Sequence, residues 1–180
     1  TYEGEHVSIA SMPGMKQRTI FLNGFSKTWA MTGFRIGFSC APPEMTEAMM
    51  NIHQYTMMCA PVLSQKAAIE ALKNDRSDVE KMRSEYKRRR NFICKALNDM
   101  GLLCHLPKGA FYVFPYIGDC GLSSKDFSMN LINEENVACV PGTAFGLSGE
   151  GFLRCSYATD FEEIKEAMRR MAVFVDRIRS

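Results

Sequence analysis

Ahead of residue 100 this chain holds two strand-like runs, and both border the same loop. Thr19-Ile20-Phe21-Leu22 is a short apolar run that reads as a buried strand, and Phe34-Arg35-Ile36-Gly37-Phe38-Ser39-Cys40 reads as a second. Two strands do not make a stable sheet on their own. Residues 1–45 are therefore expected to belong to a larger sheet whose other strands lie upstream. The opening Thr1-Tyr2-Glu3-Gly4-Glu5-His6 has no initiating Met and no signal-peptide pattern, and it reads as a cut rather than a natural start.

Helical patterns follow. Pro42-Pro43 ends the second run and opens a helix over 44–56, and Pro61 opens another that runs through Leu72. A third helix is expected over 77–100. Ser77 and Glu80 have capping-box spacing, Val79, Met82, Tyr86, Ile93 and Leu97 recur at helical intervals, and Gly101 stops it. The pattern then turns to short strands at 102–105, 110–115, 137–140 and 151–157, with a helix over 124–133. A last helix starts at Thr159, capped with Glu162, and its apolar face is Phe161, Ile164, Met168, Met171, Val175 and Ile178. The expected organisation is α/β: a sheet remnant at 1–45, linking helices at 46–75, and a small domain of mainly antiparallel strands at 76–180.

Composition removes several function classes. Lys and Arg total 22 against 20 acids, a net charge of +2, which gives no electrostatic reason for a nucleic-acid or membrane partner. Lys87-Arg88-Arg89-Arg90 points around most of a helix, so it reads as solvated surface. Seven cysteines are odd in number, contain no C-x-x-C pair and mostly sit in apolar runs, as buried free thiols of a cytoplasmic protein do. His6, His53 and His105 have no partner at metal-ligand spacing. The Met-rich stretch from Met45 to Met58 reads as packing or a subunit contact.

One lysine carries chemistry. Lys27 leaves the first strand-like run, where an unpaired ammonium is costly to bury. A desolvated amine can lose its proton and form an imine with a carbonyl, which arginine cannot do. A surface lysine in a loop is the plain alternative. Arg154, among Phe152, Leu153, Cys155 and Tyr157, needs an anionic partner, and Asp160 is the structural option.

Ser26-Lys27-Thr28 followed by Met31-Thr32-Gly33-Phe34-Arg35-Ile36-Gly37 resembles the lysine signature of class I/II aminotransferases, the fold-type I enzymes that use pyridoxal 5'-phosphate. Lys108-Gly109-Ala110-Phe111-Tyr112 is similar to their small-domain strand beside the active site. Pro141-Gly142-Thr143-Ala144-Phe145-Gly146, with Gly149, Gly151 and Phe152-Leu153-Arg154, is similar to their C-terminal substrate-binding segment. Order and spacing match over nearly the whole chain. The resemblance implies the end of the large-domain mixed sheet plus the small C-terminal domain.

It further implies that Lys27 forms the internal aldimine and carries the Cα proton, and that Arg35 binds the cofactor phosphate with Ser26 as a further donor. Gly24 stands where many relatives have a hydroxyl residue. Arg154 would clamp the substrate α-carboxylate, and Phe111 would wall the site or simply fill the core. The implied partners are an L-amino acid, aspartate-like among the candidates, a 2-oxo acid, and a second subunit in a homodimer. The family's groups for the pyridine nitrogen, ring oxygen and ring stacking lie upstream of the segment resembling Thr1, so the chain alone is expected to be inactive. Elimination by a C–S lyase and a cofactor-sensing regulator domain would use the same residues.

Overall fold

The computed structural model describes residues 1–74 and 76–180, so residue 75, the last of the expected linking segment, lies outside the described residues. Two compact units are present: Glu5–Lys81 on its own, and Thr1–Gly4 together with Met82–Ser180. The division falls inside a helix. The expected linking helices group with the lysine-bearing strands.

In the unit Glu5–Lys81, β1 (Phe21–Gly24) pairs antiparallel with β2 (Gly37–Cys40), Phe21 opposite Cys40 and Gly24 opposite Gly37. Between them lie α1 (Phe25–Thr28), a single turn, and a 3-10 turn at Thr32–Phe34. The first strand was expected to be buried, and it is not: Leu22 is 72% exposed, and every residue of its partner β2 is exposed as well. A two-stranded ribbon has no inner layer, and among the described residues no third strand joins it. The unit's small core is Phe25, Met31 and Ala68, with Trp29, Ile36, Ala67 and Ala71 against it.

α2 (Pro43–Thr56) carries Pro at its first position, where a missing N–H costs nothing, and none of its residues is buried. α3 (Val62–Lys73) lays its small residues against the lysine loop. The Ser64 hydroxyl donates to the Phe34 carbonyl at 2.7 Å.

α4 (Ser77–Asp99) ends as the glycine predicts. Gly101 takes φ +77°, its N–H donates to Asn98 O at 2.9 Å, and Leu102 N–H donates to Leu97 O at 2.9 Å. The other unit is built on a three-stranded antiparallel sheet in the order β3-β5-β4: β3 (Tyr112–Val113), β4 (Val140–Pro141) and β5 (Leu153–Ser156). These strands are shorter than the apolar runs suggested. Residues 102–105 join no ladder, although Leu102 and Cys104 are buried and Leu103 and His105 exposed, the alternation of an extended segment.

α5 (Ser124–Glu135) is capped by Ser123, whose hydroxyl accepts from Asp126 N–H at 3.1 Å. α6 (Phe161–Arg179) is capped by Asp160 rather than Thr159: its carboxylate accepts from Glu162 N–H at 2.9 Å. The face Ile164, Met168, Met171 and Val175 is buried as its spacing required, and Phe174 joins it edge-on to Phe127 at 5.0 Å.

One part of the basic run is not surface. Arg88 and Arg89 pair with Glu85 at 2.8 Å each, but the Arg90 side chain is only 2% exposed. Its guanidinium meets both Glu3 carboxylate oxygens, at 2.6 and 2.8 Å, and Pro107 O at 2.8 Å, and lies 4.7 Å from the Tyr2 ring centroid. Tyr2 is buried, bonding Lys108 O through its N–H at 2.8 Å and Ala110 O through its hydroxyl. A fork with this many partners can leave water.

Candidate active site

The register of β1 and β2 places the lysine and the first arginine at one end of the ribbon. Gly24 faces Gly37, and the pairing continues as Phe25 N–H donates to Ile36 O at 3.2 Å. Two residues beyond the glycine pair, Ser26 stands on one side and Arg35 on the other, with Lys27 next along the turn. The close approach is specific to glycine: a Cβ on Gly37 would lie 2.8 Å from Asn23 O.

Arg35 was expected to start a strand. Instead it has φ 50° and ψ 48°, the left-handed region, and Ala30 has φ 52°. Each such non-glycine residue costs on the order of 1 kcal/mol, and such strain gathers at functional sites. The twist turns the Arg35 side chain back over its own loop, where Nη1 donates to Thr32 O at 3.2 Å. Among the described residues no carboxylate pairs with it, which leaves most of its donor fork for an outside anion. Lys27 is exposed, so the desolvation invoked for its amine is not supplied within this unit. Ser26 is half-buried. At Gly24 the only polar donor is the backbone N–H, bonded to Asn23 Oδ1 at 2.7 Å.

In the other unit, β5 explains an arginine among apolar neighbours. Leu153 and Cys155 point into the core, so Arg154 stands on the opposite face with Ser156 and with their cross-strand partners Val140 and Tyr112. The guanidinium carbon lies 4.5 Å from the Tyr112 ring centroid and 4.7 Å from that of Phe145. The ion pair with Asp160 does not form, and Asp160 caps α6 instead; among the described residues the Arg154 side chain makes no ion pair or hydrogen bond. A half-buried guanidinium braced on aromatic surfaces, with no carboxylate partner among the described residues, keeps its N–H donors open.

Phe145 is delivered by the segment 141–149. Gly142 N–H donates to Phe152 O at 2.8 Å, and a Cβ on either Gly142 or Gly149 would fall 2.1 Å from the other's carbonyl oxygen. Only two glycines allow that crossing. Tyr112 and Phe145 escaped the sequence reading as site residues. Both sat inside recognised motifs, but an aromatic residue shows its neighbour only once the register is known. Phe111 packs 4.6 Å from Tyr112 and 6.0 Å from Tyr86, ring centroid to ring centroid.

A lysine turn has an arginine across the ribbon, and a small antiparallel domain presents another arginine with no ion pair among the described residues. The family model "Aminotransferase class I and II" matches residues 3–171, and the chain belongs to that family. It is 54% identical over 173 residues to aromatic-amino-acid aminotransferase 2 of Thermococcus litoralis, covering 94% of this chain and 44% of that protein. It is 53% identical over 169 residues to an aspartate aminotransferase of Pyrococcus abyssi, covering 93% and 43%. Among solved structures, an aromatic aminotransferase from Pyrococcus horikoshii superposes with a TM-score of 0.94 at 51% identity, covering 97% of this chain and 47% of that one. The chain thus spans a little under half the length of these relatives. The fold is the matching part of the fold-type I architecture, and the family is in general dependent on pyridoxal phosphate.

Proposed function

We propose that these residues serve a pyridoxal-phosphate aminotransferase that moves an amino group between an L-amino acid and a 2-oxo acid. The observation that carries the reading is Arg154, held between Tyr112 and Phe145 with no acid of its own among the described residues. The lysine end of the ribbon fits the cofactor by its donor set: an exposed primary amine, and beside it a guanidinium whose one hydrogen bond among the described residues is to its own loop. When bound, the cofactor supplies an aldehyde for an amine and a ring that stores the electrons of a broken Cα–H bond.

In this reading Lys27 is the attachment point and the base that takes the Cα proton. Arg35 holds the phosphate with its planar fork, helped by the Ser26 hydroxyl. Arg154 grips the α-carboxylate through two parallel N–H···O bonds. That fixes the direction of the Cα–H bond and so selects which bond breaks. Relatives named for aspartate and for aromatic amino acids support an L-amino acid substrate of either kind. We extend the proposal to a homodimer, supported by the exposed Tyr55, Met58 and Leu63, and to the cytoplasm, supported by seven free thiols.

Borohydride reduction of the chain with pyridoxal phosphate tests the anchor: a pyridoxyl group on the Lys27 peptide is expected, and the same labelling in Lys27→Ala would overturn it. The reaction is tested on the full-length gene product with an amino acid and 2-oxoglutarate. Ammonia and pyruvate release without an acceptor would mean elimination instead, and cofactor binding without turnover would mean a sensor.

A further inference from the structure

Two buried cysteines in the C-terminal unit are not used by the proposed reaction. Cys94 faces inward from α4, and Cys104 lies on the extended segment after Gly101; they are 4% and 6% exposed, with their sulfurs 3.9 Å apart. One side chain holds both backbones in place. The Asn98 amide donates to Cys94 O at 2.7 Å and to Cys104 O at 3.0 Å, and its Oδ1 accepts from Cys104 N–H at 3.1 Å. The thiols also share an acceptor, the His105 carbonyl, at 3.9 and 3.6 Å. Among the described residues no other thiol pair is clamped in this way: half-buried Cys139 is directed at the Ser128 hydroxyl at 3.6 Å, buried Cys120 lies 3.6 Å from an Arg179 nitrogen, and buried Cys155 sits on β5.

We propose that Cys94 and Cys104 are a redox-active pair that closes reversibly to a disulfide when a peroxide is supplied. The single Cys104 S–H has two acceptors in reach, His105 O at 3.6 Å and Cys94 Sγ at 3.9 Å; turned to the sulfur, it makes Cys94 the better thiolate. Arg90 adds positive charge near it, and both effects hold the Cys94 thiol below its ordinary range, while Cys104 is pushed up. The Cys94 thiolate attacks one peroxide oxygen, the O–O bond breaks, and water (or an alcohol from an organic peroxide) leaves. Cys104 sulfur then attacks the sulfenic acid sulfur, the S–O bond breaks, and a second water leaves. Two thiols lose two hydrogens and two electrons, and the peroxide accepts both. Closure takes the sulfurs from 3.9 Å to about 2.05 Å. Neighbouring Leu103 and His105 are exposed, so the segment carrying Cys104 runs along the surface.

The test uses the full chain carrying Cys40→Ser and Cys59→Ser, which removes the two exposed thiols. After hydrogen peroxide, remaining thiols are alkylated in denaturant and peptides are mapped without reduction. The expected result is a cross-linked pair of peptides bearing Cys94 and Cys104, an intact mass lower by about 2 Da, and reversal by dithiothreitol. Circular dichroism checks that the oxidised chain stays folded. Cys104→Ser should instead give a dimedone adduct on Cys94 and no cross-link. The proposal is overturned if both cysteines are alkylated after native oxidation, if Cys104 is found joined to Cys155, or if the cross-link forms only in denaturant.

Discussion

Arg154→Lys separates a binding role from a folding role. Within the described chain, the guanidinium contributes to folding through Tyr112 and Phe145 alone, at 4.5 and 4.7 Å. Each such contact is worth about 0.5–1 kcal/mol at a partly exposed site, and lysine keeps the positive charge over the rings. The folded state should therefore lose less than about 1 kcal/mol, a shift of roughly half a molar in a urea midpoint. Substrate loses more. A charge-assisted pair to a carboxylate is worth about 1.5–3 kcal/mol, and an ammonium offers no planar fork for both oxygens. At about 1.4 kcal/mol per decade, kcat/KM for an amino acid should fall by roughly 10- to 100-fold. The assay is steady-state transamination by the full-length gene product, with urea unfolding of this chain alongside. The corresponding amine without its α-carboxylate serves as the control substrate, and its turnover should be unchanged. The carboxylate assignment fails if kcat/KM for the amino acid is unaltered, or if acid and decarboxylated amine lose equally.

Three further outcomes follow from named contacts. The Glu3 carboxyl is held at about 2, first by its hydrogen bond from Arg90 and then by Lys87, against an ordinary 4.5. Because the folded value is the lower one, this stabilisation is present above pH 4.5 and is lost as pH falls towards 2; Glu3→Gln should flatten the acid limb of a stability–pH curve, less so in high salt because Glu3 is 44% exposed. Gly142→Ala should destabilise the chain by more than about 2 kcal/mol in urea titrations, because the new methyl meets backbone that cannot rotate away. Phe174→Ala, at a fully buried position against Phe127, should cost about 3–5 kcal/mol by the same measurement.

What could be read before folding was local or already present as a motif. The 3.6-residue spacing of Ile164, Met168, Met171 and Val175 defines which face of α6 is buried, whatever it packs against. Gly101 and Pro43 set helix boundaries through their own backbone limits. Lys27, Ser26, Arg35 and Arg154 were singled out by residue type and order, and the family those motifs resemble is the one whose model matches residues 3–171. Long-range pairing decided most of the rest. Arg90 looked like one more surface cation until Glu3, 87 residues away, brought it a counter-charge, which is what makes burial affordable. Leu22 looked buried because it is apolar, yet a strand is covered only when something lies over it, and the ribbon of β1 and β2 has open faces. The rings of Tyr112 and Phe145 around Arg154 depend on register between distant segments, while the left-handed Arg35 and the Asn98 clamp on Cys94 and Cys104 are local turns that no periodicity reveals. Sequence offered the candidate side chains because chemistry belongs to the residue; only the tertiary structure assigned their partners, because a partner is a distance.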